Sequence, residues 1–120
     1  MEGQKWWVPL FDKHNFTAVF EHHTHYRKMS RRIKNNTKDD FGTRYVGDGS
    51  WGVPNGTCSE ARMPKYMDLI EDDYAQHDPN HFWQIIINRT DPQNHYINYT
   101  AVDINYQIVS NYTDILPPLK

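Results

Sequence analysis

Three histidines within a run of four residues, His22, His23 and His25, are the side chains of this sequence best suited to bind a metal. They follow the apolar segment 16–20, which is predicted to be a short buried strand of a parallel or mixed sheet. Ligands and metals bind beyond the carboxyl ends of such strands. Imidazole suits Zn, Fe, Mn and Cu, and two histidines one residue apart can contact neighbouring metals about 3.5–4 Å apart. Because a catalytic metal needs about three protein ligands, a solvated histidine-rich loop, or histidines hydrogen-bonded at the strand end, also explains the run.

A glycine-rich segment, Gly47–Gly52, matches the G-x-G-x-x-G pattern of dinucleotide-binding loops and follows a strand predicted for residues 43–46. That function requires a helix to begin directly after the glycines, so that its N-terminus faces the pyrophosphate. The next four residues are Val-Pro-Asn-Gly, which predicts a turn. A dinucleotide site is therefore excluded. The segment is interpreted as a tight backbone turn that lets a strand end approach the active face closely.

The remaining reactive side chains show no arrangement that predicts catalysis. His77 and His81 are separated by an Asp-Pro dipeptide that breaks any helix, and they are predicted to lie at the surface, as is His95 in a turn. The acidic run 71–73 is interpreted as the solvated face of a helix. Cys58 has no base marked near it and is the single cysteine of the sequence, so it cannot form an intramolecular disulfide.

Two helices are predicted in the first two thirds of the chain. Pro9 is suited to begin a short helix that runs to Lys13, with Asn15 placed to end it. Pro64 is suited to begin a second helix that runs to about Ala75, because its apolar residues recur at helical spacing. The basic stretch between the two predicted strands is interpreted as loop or frayed strand over residues 27–38.

The last third of the chain predicts an antiparallel β meander over residues 82–113. Its three segments are rich in Ile, Val, Tyr and Phe and are separated by turn residues; they cover 82–87, 96–103 and 107–112. Helices and strands followed by a meander indicate an α/β (α+β) fragment of a mixed layer architecture, with residues 1–120 forming one partial domain.

Asparagine usage indicates the compartment. Six of the ten asparagines begin an N-x-Thr triplet, where composition predicts about one; they are Asn15, Asn35, Asn55, Asn88, Asn98 and Asn111. The excess indicates a glycoprotein that is secreted or that resides in a lysosome or vacuole. Loop positions such as Asn35 and Asn55 are expected to be glycosylated more readily than Asn98, which lies in a predicted strand. A chance product of an Asn-rich and Thr-rich composition is the alternative.

Size and charge exclude several classes of protein. The chain has 120 residues, 13 basic and 15 acidic side chains and a net charge of -2, so neither a basic nucleic-acid binder nor a polybasic membrane-surface protein is expected. Its longest apolar run is far shorter than the roughly 20 residues of a membrane span. The first residues form no signal peptide, so sequons and an unpaired cysteine together predict the C-terminal part of a longer chain.

Two blocks of sequence resemble the end of a known family. The order Val19–Lys28, with its Glu-His-His-Thr-His-Tyr core, followed by Gly42–Gly52, with its Gly-Asp-Gly, resembles the C-terminal part of the calcineurin-like metallophosphoesterases. Within that family the blocks are most similar to purple acid phosphatases and related secreted acid phosphatases. The resemblance extends over residues 7–112, and it implies the C-terminal portion of a β-sandwich with flanking helices.

The resemblance also implies an activity. The protein would be an acid-phosphatase-like phosphoric monoester hydrolase with a dinuclear centre of Fe with Zn, Mn or a second Fe. His23 would bind the divalent metal and His25 the other one, and the centre would activate a hydroxide for in-line attack on a phosphate ester. His22 replaces a Gly or Asn of the family pattern and is a candidate hydrogen-bond donor in catalysis.

The sequence departs from the family in what it lacks. The upstream ligand blocks of the family (D-x-H, G-D-x-x-Y, G-N-H-[DE] and an earlier histidine) have no counterpart here. This chain is therefore expected to be inactive alone and to need the remainder of the same chain or a complementing subunit. Two alternatives remain: a non-catalytic secreted glycoprotein module that binds a partner through its β meander, and a small intracellular histidine-rich metal-binding protein.

Overall fold

The computed structural model describes residues 5–21, 27–47, 68–72 and 81–118 of the chain. It divides into two compact units, Met1–Pro79 and Asn80–Lys120, and each is described by itself. The described residues are mostly β, with one short helix, α1 (Val8–Lys13). The strands are β1 (Ala18–Glu21), β2 (Lys28–Ser30), β3 (Ile33–Lys34), β4 (Thr37–Lys38), β5 (Arg44–Gly47), β6 (Ile70–Asp72), β7 (His81–Asn88), β8 (Tyr96–Asp103) and β9 (Ile108–Ile115).

Helix α1 forms where the sequence predicted it. A proline in the first turn has its φ already fixed near the helical value and lacks only an N–H that would have no partner there. The chain leaves the helix through Asn15, whose φ of 51° is left-handed and is tolerated by asparagine. Phe11 anchors the helix, with its ring 5.1 Å from Phe16 and 6.3 Å from Tyr45 between centroids.

The first unit contains a mixed four-stranded sheet in the order β1-β5-β2-β6. Strands β1 and β5 are parallel, and β2 is antiparallel to both β5 and β6. Met29 and Val46 are fully buried in it. The predicted strand at 43–46 is confirmed as β5. The stretch predicted as loop or frayed strand contains β2 and a two-residue hairpin of β3 and β4, which turns through the left-handed residues Asn35 and Asn36.

The prediction that a buried strand precedes the histidines is wrong. Strand β1 lies at the edge of the sheet, and Phe20 keeps 45% of its surface exposed. An apolar run of five residues satisfies the pattern of a buried strand, but its position at the edge or in the centre depends on which strands pair with it. Here only β5 pairs with β1 in the described part of the chain.

The helix predicted to begin at Pro64 is also wrong where the structure describes it. Residues 70–72 form β6, which pairs with β2 through Met29 and Ser30. Helical spacing of apolar residues is a weak preference that tertiary pairing overrides. In this case the strand conformation brings Glu71 to the buried guanidinium of Arg44, with which it forms an ion pair.

The second unit is the predicted three-stranded meander, in the order β7-β8-β9. The turns at 89–95 and 104–107 join antiparallel partners, with Tyr99 opposite both Ile85 and Tyr112. One face is buried through Ile97, Tyr99 and Ala101 of the central strand. Alternation of side chains along β8 therefore gives the meander a buried face and an outer face.

Two histidines predicted to lie at the surface are buried in this unit. His81 begins β7 with 1% of its surface exposed, opposite Asp103 and with its ring edge-on to Trp83. His95 is 7% exposed, and its carbonyl accepts a hydrogen bond from the amide of Leu116. Histidine has an apolar ring as well as polar nitrogens, so it can be buried at the start of a strand, as His81 is, or in the turn before β8, as His95 is. His77 lies outside the described residues.

In the described ranges the structure contains no helix that is both long enough and apolar enough to cross a membrane.

Candidate functional site

At one end of the mixed sheet two strands stop and a third begins. Glu21, the last residue of β1, is the register partner of Gly47, the last residue of β5. Lys28, the first residue of β2, pairs with Gly47 from the other side. The segment 22–27 therefore connects two strands that flank β5, at the end where β5 itself stops.

The predicted site residues His22, His23 and His25 lie outside the described residues, as does Asp48. His22 and Asp48 are nevertheless bonded directly to Glu21 and Gly47, and the structure describes both of these residues. Neighbouring strands lie about 4.8 Å apart, so the histidine block and the Gly-Asp-Gly block each begin within a residue of one paired strand end. The sequence alone did not establish this proximity, because the two blocks are more than 20 residues apart.

Gly47 has a packing reason to be glycine. A Cβ at this position would stand 2.6 Å from both Cγ and Cε of Lys28, which is closer than real carbon contacts. The aliphatic part of Lys28 lies across the bare backbone of Gly47, and its ammonium forms an ion pair with Glu21 on the far side of β5. The aliphatic side chain of Lys28 is thus the group that approaches the backbone of Gly47. The predicted tight turn over Gly47–Gly52, which would let a strand end approach the active face, extends outside the described residues and stays a prediction.

We expect the substitution Gly47→Ala to be coupled to Lys28. Alanine forces the lysine side chain away and breaks the ion pair with Glu21, which costs about 1–2 kcal/mol of unfolding free energy. In the background Lys28→Ala the same substitution has little to displace and should cost less than half as much. Urea unfolding of the two single variants and the double variant measures this coupling. Purely additive costs would show that Gly47 is required for another reason.

A buried ion pair stabilises the first residue of β5, at the other end of the strand from Gly47. Arg44 is 5% exposed and donates to the carbonyl of Ser30 at 2.9 Å as well as to Glu71. The Ser30 hydroxyl accepts a 2.9 Å hydrogen bond from the amide of Tyr45. The interpretation of Glu71 as part of a solvated helix face is wrong, because its carboxylate is held by a buried arginine. This network, which ties β5 to β2 and β6, was missed in the sequence. The signal was present, since Arg44 and Val46 must share a face of the predicted strand.

Among the residues of this unit that the structure describes, Tyr45 is the titratable group whose pKa is clearly shifted. Burial, then the charges of Asp12 and Glu21, raise the pKa of its phenol from 10.0 to about 12. Neither the Tyr45 hydroxyl nor the buried Oδ1 of Asp12 has a hydrogen-bond partner among the described residues. Both the low-dielectric surroundings and the two carboxylates oppose formation of the tyrosinate anion.

This shift predicts a loss of stability at alkaline pH. Between pH 10 and about 12 the folded chain keeps the Tyr45 proton that the unfolded chain releases, so stability that is intact below pH 10 falls as the pH rises through this window. The loss should reach at most about 2 kcal/mol, because the side chain is partly exposed. Tyr45→Phe should remove this part of the pH dependence. An absorbance titration of the wild type minus that of Tyr45→Phe isolates the phenol, and a midpoint near 10 would contradict the shift.

The sequon asparagines fall into two groups. Asn15 follows α1 and Asn35 lies in the β3–β4 turn, both exposed and both left-handed with φ of 51°. Asn88, Asn98 and Asn111 lie in the three strands of the meander, as predicted for Asn98. Asn55 lies outside the described residues. The expectation that loop sequons are modified more readily than Asn98 stays a prediction.

Within the ranges that the structure describes, no three side chains of His, Cys, Asp and Glu are grouped so that they could hold a metal ion. Comparison with protein-family models gave no match, and no curated protein matches the chain. The candidate site is therefore defined by the end of the mixed sheet where β1 and β5 stop and β2 begins. Both sequence blocks start there.

Proposed function

We propose that this chain supplies the last histidine block of a dinuclear metal centre in a phosphoric monoester hydrolase of the metallophosphoesterase type. The observation that carries the proposal is the register pair Glu21–Gly47, which starts the histidine block and the Gly-Asp-Gly block from adjacent strand ends. A site built from two distant sequence blocks requires such a convergence. The resemblance of both blocks to that family supports the same conclusion.

The donor chemistry fits the metals that the family resemblance implies. Imidazole is a borderline ligand that binds iron, zinc and manganese, and His23 and His25 would each hold one metal of the pair. Bound metals would supply Lewis-acid polarisation of the phosphate ester and neutralise its charge. The further ligands would come from the remainder of the same chain or from a complementing subunit.

The charges described at this end of the sheet do not repel an anionic substrate. Glu21 is the acidic residue directly before the histidines, and its charge is compensated by the ammonium of Lys28. Compensation lowers the repulsion that an unpaired carboxylate would exert on a phosphate group. The side chain of Lys28 passes over Gly47 to reach Glu21. The glycine that begins the Gly-Asp-Gly block therefore permits the ion pair that compensates the charge of Glu21.

Metal stoichiometry of the native protein tests the proposal. We expect two tightly held metal ions per molecule and hydrolysis of an aryl phosphate. An intact mass after deglycosylation far above 14.3 kDa would assign the further ligands to the remainder of the same chain, and a mass near 14.3 kDa would assign them to a complementing subunit. The isolated 120-residue chain serves as the control and should hold no dinuclear centre and hydrolyse nothing. Native protein that contains no metal would refute the enzyme function.

A non-catalytic glycoprotein module is the second candidate, and one observation favours it. The outer face of the meander exposes Phe82 at 44% and Ile86 at 47% of their surfaces, which would suit a protein partner. The two candidates differ in metal content, because a bare module would be secreted without metal and without phosphatase activity. The intracellular metal-binding alternative would show no glycan at any of the six sequons.

A further inference from the structure

Three sequon asparagines share the outer face of the meander. Asn98 in β8 lies directly opposite Ile86 and Thr113. Because side chains two apart in a strand point to the same side, Asn88 in β7 and Asn111 in β9 lie on that face as well. The three potential glycosylation sites therefore lie on one face of the sheet, although they are spread over 24 residues of sequence.

Asn98 is the centre of a hydrogen-bond cluster between β8 and β9. Its amide nitrogen Nδ2 lies 2.7 Å from Oδ1 of Asn111, 3.0 Å from Oγ1 of Thr113 and 3.1 Å from the carbonyl oxygen of Tyr112. Its Oδ1 accepts a 2.8 Å hydrogen bond from the hydroxyl of Thr100. All polar atoms of this side chain are thus engaged, and the cluster joins the Asn and Thr residues of two sequons.

The chemistry of the partners fixes the orientation of both amides. A backbone carbonyl such as that of Tyr112 can only accept a hydrogen bond, so the Asn98 atom that faces it must be the NH₂ group. The atom of Asn111 that faces the same NH₂ group must then be its oxygen. In this pair Asn98 is the donor and Asn111 is the acceptor.

The nitrogen of Asn111 is consequently turned away from the cluster. Asn111 is exposed, and its Nδ2 makes no hydrogen bond to any part of the chain that the structure describes. Asn88 has the same arrangement, because its Oδ1 accepts from the amide of Thr90 at 3.0 Å and from the hydroxyl of Thr90 at 2.9 Å. An N–H donor also fixes this orientation, since it can bond only to the oxygen of the Asn88 amide.

We propose that the outer face of the meander carries N-linked glycans on Asn88 and Asn111, and that Asn98 is kept unmodified in the folded protein. In the transfer, Nδ2 of asparagine forms a bond to the anomeric carbon of an oligosaccharide and loses a proton. The bond from that carbon to the diphosphate of the lipid-linked donor breaks, and the lipid diphosphate leaves. At Asn88 and Asn111 the new bond uses a nitrogen that the fold does not need.

At Asn98 the same reaction is incompatible with the fold. A sugar on Nδ2 replaces one of its two N–H groups, which together serve three acceptors. Transfer takes place on the extended chain, so the fold acts afterwards: a chain modified at Asn98 cannot close the cluster. Chains that fold and are secreted are therefore those in which Asn98 escaped modification.

Site occupancy in a eukaryotic secretory host tests this assignment. The full chain is expressed behind a signal sequence, and an amidase then removes its glycans in heavy-oxygen water. This reaction converts each glycosylated asparagine to an oxygen-labelled aspartate, which peptide mass spectrometry detects. In the secreted fraction we expect label on Asn88 and Asn111 and at least about tenfold less on Asn98. Equal label on Asn98 and Asn111 would overturn the proposal, and so would secreted chains without label on Asn88 and Asn111.

A matched pair of variants tests the cluster without any glycan. In chain made without glycosylation, Asn98→Asp removes the donor and sets a carboxylate against three acceptors, so the urea midpoint should fall by about 1 M or more. Asn111→Asp makes the same chemical change but keeps the acceptor, and its midpoint should stay near that of the wild type. Equal shifts would overturn the donor and acceptor roles. If Asn98→Asp does not fold while Asn111→Asp does, the roles are supported.

Discussion

Replacement of His23 or His25 by alanine in the complete protein is expected to remove one of the two metal ions and to lower the turnover of an aryl phosphate by about a hundredfold or more. Each imidazole would hold one metal of the pair, and a centre that lacks one metal would lose the Lewis-acid stabilisation that this metal gives to the phosphoryl oxygens. Metal content per molecule and kcat for the aryl phosphate should fall together. A variant that loses activity but keeps both metals would assign the histidine another role.

Two neighbouring histidines provide the controls for that experiment. His14 is exposed directly after α1, and His14→Ala should leave metal content and turnover unchanged. His22→Ala should keep both metals, with a loss of up to about tenfold in kcat if its imidazole donates a hydrogen bond during catalysis. Unchanged turnover in both the His23 and the His25 variants would remove the site assignment, whatever the controls show.

Gly42→Ala is expected to have the largest effect on stability, about 3 kcal/mol or more of unfolding free energy. A Cβ at Gly42 would lie 2.7 Å from the backbone nitrogen of Ile33 and closer still to its carbonyl group. The backbone of Ile33 cannot rotate away, because it exchanges two 2.9 Å hydrogen bonds with Thr43. The substitution must therefore displace the start of β5, which positions Gly47 at the proposed site.

Urea unfolding measures this cost, and the adjacent residue supplies the control. Phe41 is 78% exposed, so Phe41→Ala removes the whole aromatic ring but should change stability by less than about 0.5 kcal/mol. Gly47→Ala should lie between the two, since its Cβ meets a flexible lysine side chain and not a backbone. A cost of less than about 1 kcal/mol for Gly42→Ala would mean that β5 adjusts without loss.

Local signals in the sequence were sufficient for several elements of the fold. A proline at the first turn and an asparagine after the last turn define α1, because both residues fix or permit one backbone conformation regardless of distant contacts. Alternating β-branched and aromatic residues between turn signals define the meander for the same reason. The histidine block and the glycine-rich block were also identified by residue type alone.

Pairing between distant segments decided the rest, and no local pattern contains that information. The edge position of β1, the strand conformation of residues 70–72 and the burial of His81 each depend on which segment lies alongside. The same is true of Arg44, whose charge is tolerated inside the sheet because Glu71 and the carbonyl of Ser30 surround it. A charged residue can be buried only where the tertiary structure brings it a partner.

The candidate site likewise combines features that follow from the sequence with features that depend on the tertiary structure. The sequence by itself determined which side chains are suited to bind metals and which asparagines are sequons, because both follow from residue type and spacing. Only the tertiary structure placed the ends of β1, β5 and β2 together, and only it made Asn98 a donor and Asn111 an acceptor. Proximity and hydrogen-bond direction belong to pairs of atoms that are distant in the chain, so they exist only once the sheets have formed.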